Sequence, residues 1–111
     1  MDKRLEKDLW ISRFSDEVLP QLNRYFSPEK IIIFGSRAKG EATYDSDIDV
    51  ILISEVFNGI KFIKRMAMVL KKISFSKHID FICYSPDELE RVRKSSAIIQ
   101  DALQNGVELK L

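Results

Sequence analysis

Cysteine, long apolar runs and leader-like segments are scarce or absent in this chain of 111 residues. A single cysteine, Cys83, cannot form an internal disulfide, and no C-x-x-C or Cys/His group indicates a zinc site. No apolar segment approaches the roughly 20 residues that span a bilayer, and the polar start MDKRLEKDLW is unlike a signal peptide. These absences predict a reduced, cytoplasmic protein with no membrane segment, and Cys83 is interpreted as a buried small hydrophobe rather than a reactive thiol.

An excess of either charge sign is also missing. The chain has 18 Lys and Arg against 17 Asp and Glu, a net charge of +1. Steering of the whole molecule toward nucleic acid is therefore not expected, and direct nucleic-acid binding is not predicted. Because no repeat, low-complexity tract or linker interrupts the chain, a single domain over residues 1–111 is predicted.

The spacing of apolar residues predicts alternating helices and strands. The first helix should run from Ile11 to Phe26 with a kink or break at Pro20, because proline lacks the backbone donor. Further helices should follow Asn58-Gly59 and Ser85. Strands are predicted at residues 30–35, 47–53 and 77–84, with a last edge strand at 107–111. The predicted class is α/β (α+β): a mixed β-sheet of three to four strands with helices packed on it.

The helix after Asn58-Gly59 shows one apolar and one basic face. The apolar side is predicted to pack on the core. The basic side is interpreted as a solvated surface rather than a phosphate- or partner-binding stripe, and it carries Lys61, Lys64, Arg65, Lys71 and Lys72. The residues predicted to face the core are Ile63, Met66, Ala67, Leu70 and Ile73.

Two aspartates open the second predicted strand. Residues two apart in a strand point to the same face, about 6.6 Å from each other, so Asp47 and Asp49 lie together while Ile48 and Val50 turn into the core. Such like charges raise each other's pKa unless something compensates. A divalent cation does so, and Mg²⁺ is typically held by one or two carboxylates plus substrate phosphates. The alternative is a polar strand entry without a metal.

A Gly-Ser turn precedes these aspartates. Gly35 allows close backbone approach, and Ser36 can cap the short helical turn that follows, whose exposed amides suit a phosphate. Arg37 and Lys39 add positive charge nearby. An anion cradle beside a carboxylate pair predicts a site for a magnesium–nucleoside triphosphate, although a Gly-Ser pair alone is most often only a turn.

The third predicted strand supplies another acid. His78 and Asp80 fall on one face of it, while Ile79 and Phe81 fall on the other. If this strand pairs beside the second, Asp80 joins the carboxylate pair, where it could share a metal or accept a proton from a hydroxyl. A salt-bridged edge residue is the alternative for Asp80, and His78 is interpreted as structural.

The order of these motifs resembles a known signature. Gly35-Ser36, ten residues, then Asp47-Ile48-Asp49 is similar to the signature of the polymerase-beta-type nucleotidyltransferase superfamily. The stretch PEKIIIFGSRAKGEATYDSDIDVILI resembles its minimal nucleotidyltransferase branch. The resemblance extends over about residues 27–85.

The resemblance implies a role for each motif residue. Gly35 and Ser36 would hold the triphosphate. Asp47 and Asp49 would coordinate Mg²⁺, and Asp80 would be the third carboxylate of the metal site and would activate the acceptor hydroxyl.

Three further residues receive subsidiary roles by the same resemblance. Arg37 and Lys39 would be auxiliary phosphate contacts, and Lys39 stands where relatives often have arginine, which keeps the charge but loses a bidentate grip. Ser46 is either a nucleotide contact or only a cap at the strand entry.

The resemblance also implies the reaction. It is a Mg²⁺-dependent transfer of a nucleoside monophosphate, with ATP as substrate, to a hydroxyl. Minimal members resemble the antitoxin of type VII-like toxin–antitoxin pairs, whose partner is a helical HEPN protein, and the expected acceptor is a tyrosine of that partner. The alternative is a binding module that neutralises the HEPN ribonuclease by occlusion. The nucleotide base and self-association stay open.

Overall fold

A four-stranded mixed β-sheet organises the chain. The structure, a computed structural model, describes residues 5–111. The strands are β1 (Lys30–Phe34), β2 (Ile48–Ile53), β3 (Ile79–Tyr84) and β4 (Val107–Leu109). Their order is β3-β2-β1-β4, with β1 antiparallel to both of its neighbours and β2 parallel to β3. The predicted mixed sheet is confirmed, and the third strand does lie beside the second.

Helices cover both faces of this sheet. They are α1 (Leu9–Arg13), α2 (Leu19–Phe26), α3 (Phe62–Lys72), α4 (Pro86–Val92) and α5 (Ala97–Asn105), with a short 3₁₀ turn at Glu55–Phe57. The helical segments of residues 9–26 and α3 pack on one face, and α4 and α5 pack on the other. No helix in residues 5–111 is long and apolar enough to cross a membrane.

The two central strands are buried on both faces, which explains their continuous apolar sequence. In β1, Ile31 and Ile33 face α1 to α3 while Ile32 faces α4 and α5. Cys83 in β3 is buried beside the first of these layers. Burial raises the pKa of its thiol to about 12, so the interpretation of Cys83 as a small hydrophobe is confirmed.

Pro20 coincides with a change of helix type. Between α1 and α2 the backbone forms a π-helical turn, Phe14–Val18, in which the amide of Leu19 donates to the carbonyl of Phe14. The α-helix resumes at Leu19, which puts Pro20 in its first turn, where the missing N–H is tolerated. The predicted break at Pro20 is therefore wrong: the helical winding continues through residues 9–26 and only widens in the turn before Pro20.

The predicted core face of α3 is wrong in part. Ile63 is 84% exposed, and Met66 and Ala67 are also exposed. The buried positions of the helix are Arg65 and Val69. The helix turns the side that carries Arg65 toward the sheet, because the guanidinium finds its hydrogen-bond partners there. The pattern of apolar residues gives no sign of this orientation.

Arg65 is buried together with the partners that make its burial tolerable. Its Nη1 donates to Glu88 Oε1 at 2.7 Å and to the carbonyl of Cys83 at 3.1 Å, and its Nη2 donates to Glu88 Oε2 at 3.0 Å. Glu88 also accepts from the amide of Ser85, which completes a capping box at the start of α4. One ion pair thus links α3, β3 and α4.

This pair predicts a loss of stability in acid. The hydrogen bonds from Arg65, and secondarily that from Ser85, lower the pKa of Glu88 from 4.5 to about 2. The stabilisation is present above the ordinary pKa and is lost as the pH falls from 4.5 toward 2. Urea denaturation across that range should show the wild-type free energy of unfolding falling faster than that of Glu88→Gln. Parallel curves would contradict the assignment.

Candidate functional site

The residues singled out by sequence meet at one edge of the sheet. Because β1 runs antiparallel to β2, the end of β1 lies beside the start of β2, and the start of β3 lies next to it. The register pairs Phe34 with Asp49, and Asp49 with Asp80. Gly35, directly after β1, and Asp47, directly before β2, therefore occur at the same edge.

Three carboxylates concentrate negative charge there. Asp49 and Asp80 are register partners on neighbouring parallel strands. Burial, and then the charges of Asp80 and Asp47, raise the pKa of Asp49. Among residues 5–111, no lysine or arginine forms an ion pair with these three acids. The cluster therefore has the uncompensated charge that a divalent cation would neutralise.

The ligand atoms that lie closest together include a histidine. One ligand atom each from Asp47, His78 and Asp80 lie within 4.8 Å of one another. His78 Nε2 is 2.8 Å from Asp80 Oδ1. Asp49 stands outside this group. Sequence reasoning had left His78 as structural, although its shared face with Asp80 was the available signal.

Only glycine fits at position 35, because Asp49 occupies the space that a Cβ would fill. The φ of Gly35 is +72°, and a Cβ there would overlap Asp49 Oδ2 and lie 3.2 Å from Asp49 Cγ. The carbonyl of Gly35 accepts from the amide of Lys39 at 3.2 Å, and that of Ser36 accepts from Glu41 at 2.9 Å. The first amides of such a helical turn have no partner within the turn, so they are available to an anion.

Replacing Gly35 by alanine should therefore disrupt more than the backbone. Gly40 offers a matched control, because its φ is +73° and a Cβ there meets nothing within 4 Å. Gly40→Ala should cost only the left-handed conformation, about 1–2 kcal/mol. Gly35→Ala should lose more, because Asp49 must also move. Chemical denaturation of both variants measures the difference, and equal losses would show that the Gly35–Asp49 contact carries no energy.

Arg37 lies under the loop that leads to the aspartates. It is 4% exposed, and its Nη1 donates to Asp8 Oδ1 at 3.0 Å and Oδ2 at 2.9 Å. Its Nη2 donates to the carbonyls of Thr43, Tyr44 and Ser46. The geometry makes Arg37 a brace for this loop, and its predicted contact with phosphate stays a prediction.

Lys39 and Ser46 also have partners of their own. Lys39 Nζ is 3.5 Å from Asp101 Oδ2 of α5, and both side chains are about half exposed. Ser46 Oγ accepts from the amide of Thr43 at 3.0 Å. The amide of Ser46 donates to the carbonyl of Thr43 in turn, so these bonds close the turn from Thr43 to Ser46 ahead of β2. Contacts of Lys39 and Ser46 with a nucleotide stay predictions.

Tyr44 and the partly buried Trp10 form an aromatic surface next to the segments that carry the cluster. Tyr44 is 75% exposed, and its ring lies 5.6 Å from that of Trp10. Lys77 Nζ lies 4.9 Å from the Trp10 ring and 5.9 Å from the Tyr44 ring. Tyr44 lies in the loop before Asp47, and Lys77 directly precedes His78, so the surface flanks the candidate cation site.

Known proteins resemble the chain in fold and in sequence. A candidate nucleotidyltransferase from Sulfolobus solfataricus superimposes with a TM-score of 0.64 at 24% identity, over 97% of this chain and 86% of that one. BolA1 from Arabidopsis thaliana superimposes with a TM-score of 0.49 at 18% identity, over 79% of this chain and 98% of that one. No curated protein sequence matches significantly. Residues 15–109 match the model of the nucleotidyltransferase domain, and the chain therefore belongs to the nucleotidyltransferase domain family.

Proposed function

We propose that this chain transfers a nucleoside monophosphate, with ATP as the donor, to a hydroxyl of a partner protein in the presence of Mg²⁺. The observation that carries the proposal is the contact of Gly35 with Asp49. It joins the turn suited to a triphosphate directly to the acids suited to a cation. A transferase needs both at one place, because the reacting phosphorus lies between them.

The donor set at the edge of the sheet fits the cation. Asp47, Asp49 and Asp80 offer carboxylate oxygens, which are the ligands that Mg²⁺ prefers. Burial, and to a lesser extent the charges of Asp80 and Asp47, raise the pKa of Asp49. When bound, the cation would supply charge neutralisation for in-line displacement at the α-phosphorus.

Backbone amides and one carboxylate of the chain would carry out the other steps of the transfer. The amides of the turn that starts at Gly35 would bind phosphate oxygens. The acceptor oxygen forms a bond to the α-phosphorus, the bond from that phosphorus to the bridging oxygen breaks, and pyrophosphate leaves. The hydroxyl proton goes to Asp80, whose side chain is 47% exposed and open to an incoming acceptor.

The exposed apolar face of α3 supports the proposal that the acceptor belongs to a partner protein. Ile63, Met66 and Ala67 form an apolar patch on that face, and Ile63 is 84% exposed. The exposed charges of this helix and the residue before it are all positive, carried by Lys61, Lys64, Lys71 and Lys72. An apolar patch with charges of one sign fits the acidic, apolar face of a helical protein. We propose that this partner is a HEPN protein and that its tyrosine is the acceptor.

Incubation with ATP labelled at the α-phosphorus tests the reaction. The mixture contains Mg²⁺ and the protein encoded next to this chain's gene. Label should appear on a tyrosine of the partner, and pyrophosphate should be released in equal amount. Label on neither protein nor any added hydroxyl compound would contradict the proposal.

The second candidate function is neutralisation of the partner by occlusion, and the exposed face of α3 favours it equally. Ile63→Glu should abolish complex formation without unfolding the protein. Ile98→Glu is a matched control, because Ile98 is 66% exposed on α5, which packs on the other face of the sheet. If an Asp47→Asn variant still silences the partner, occlusion is sufficient. If silencing disappears while the complex persists, transfer is required.

A further inference from the structure

We infer that His78 is a direct ligand of the cation site, and that this ligand makes the site prefer Mn²⁺ to Mg²⁺. The inference rests on the proposed cation site and specifies which ion it takes. His78 belongs to neither motif from which the site was predicted. It enters through geometry alone.

The position of His78 matches that of a ligand. Its Nε2 is 2.8 Å from Asp80 Oδ1. Two adjacent ligand atoms around an octahedral ion at about 2.1 Å are about 3 Å apart. The 4.8 Å within which the atoms of Asp47, His78 and Asp80 lie is slightly more than the roughly 4.2 Å between opposite ligands of such an ion. Small side-chain rotations would therefore bring all three to one centre.

These side chains are free to make that adjustment. His78 and Asp80 are 50% and 47% exposed, so water and ions reach them. Asp49 is differently placed, because it is partly buried against Gly35. His78 is thus better placed than Asp49 to be the third direct ligand of an ion that Asp47 and Asp80 hold.

Ligand chemistry then decides which ion is preferred. Mg²⁺ takes oxygen ligands almost exclusively, whereas imidazole suits zinc, copper, iron and nickel. Mn²⁺ shares the oxygen ligands of Mg²⁺ but belongs to the transition-metal series, so one imidazole beside two carboxylates favours it over Mg²⁺. Two carboxylates and one imidazole on an octahedral Mn²⁺ leave three positions for phosphate oxygens or water. A tetrahedral Zn²⁺ held by the same three groups would leave one, which suits a triphosphate substrate less well.

Pulsed electron paramagnetic resonance of bound Mn²⁺ tests the inference directly. His78 is the only histidine of the chain, so modulation from an imidazole nitrogen in protein without a histidine tag must come from this residue. The modulation should be present in wild type and absent in His78→Asn. Bound Mn²⁺ without nitrogen modulation in wild type would overturn the inference.

Titration calorimetry supplies the second measurement. Mn²⁺ should bind at least tenfold more tightly than Mg²⁺. His78→Asn should weaken Mn²⁺ binding about tenfold or more and change Mg²⁺ binding less than threefold. Asp101→Asn, which removes a carboxylate on α5, should change neither. Equal affinities for the two ions, or equal losses in His78→Asn, would contradict the preference.

These outcomes separate the inference from the proposed function. Transfer of label with Mg²⁺ in the absence of nitrogen modulation would refute the role of His78 and leave the reaction standing. Nitrogen modulation without transfer to any acceptor would refute the proposed reaction and leave the role of His78 standing.

Discussion

Asp47→Asn should lower the rate of nucleotidyl transfer about 100-fold or more while the protein stays folded. Changes to groups that merely support a metal ligand cost about 10–100-fold, and Asp47 is itself proposed as a ligand. Asparagine keeps the shape of the side chain but removes the charge that attracts the cation. The measurement is the initial rate of label transfer at saturating ATP and partner.

Two controls make this result specific. Asp45→Asn removes an exposed acid from the same loop, outside the group of close ligand atoms, and should transfer at the wild-type rate. In Asp47→Asn the pKa of Asp49 should fall, because the charge of Asp47 is one of the causes that raise it. Nuclear magnetic resonance of the Asp49 carboxyl measures that pKa. Full activity in Asp47→Asn would contradict the proposed site.

Arg37→Met should destabilise the protein by about 3 kcal/mol or more, and lower Tm by about 10 °C or more. Methionine fills the volume but leaves Asp8 and three loop carbonyls without the guanidinium. The carbonyls are those of Thr43, Tyr44 and Ser46. Transfer should also fall at temperatures where the variant is folded, because the loop that these carbonyls belong to leads into Asp47.

Arg13→Met provides the matched comparison. Arg13 pairs with Glu17 at 2.8 Å, but both side chains are more than 40% exposed. Breaking such a surface pair should cost less than about 1 kcal/mol. Thermal and chemical denaturation of both variants gives the two costs. Similar costs would mean that burial does not strengthen the Arg37–Asp8 pair.

The convergence of Asp47, Asp49 and Asp80 was predictable from sequence only in part. Strand periodicity puts alternate residues on one face, and it follows from local patterns of apolar and polar residues. That the third strand lies beside the second was a condition of the prediction, because no local pattern specifies which strands pair. The structure meets the condition by pairing Asp49 with Asp80 on parallel neighbours.

The surroundings of Arg37 were not predictable in the same way. Its carboxylate partner, Asp8, is 29 residues away, and no local pattern indicates that the two meet. Motif reasoning assigned the charge of Arg37 to the substrate and did not foresee that its guanidinium also holds a loop. His78 was overlooked for a related reason, since its closeness to Asp47 depends on the course of each chain just before its first paired residue, Ile48 in β2 and Ile79 in β3.

The face of α3 shows a different limit. Periodicity identified the apolar side of the helix, but burial is decided by what packs against it. Arg65 lies beneath the helix because Glu88 and the carbonyl of Cys83 receive its guanidinium. An amphipathic pattern alone cannot distinguish a face turned to the core from one kept for a partner.

The π-helical turn at Phe14–Val18 takes up one residue more than a regular α-helical turn. Each residue of an α-helix advances about 100° around the axis, so in a regular helix of the same length Asp8 would point about a quarter of a revolution away from Arg37. The widened turn absorbs the extra residue and keeps Asp8 directed at Arg37. Deletion of Ser15 should therefore regularise the winding and leave this pair, and the loop it holds, in place.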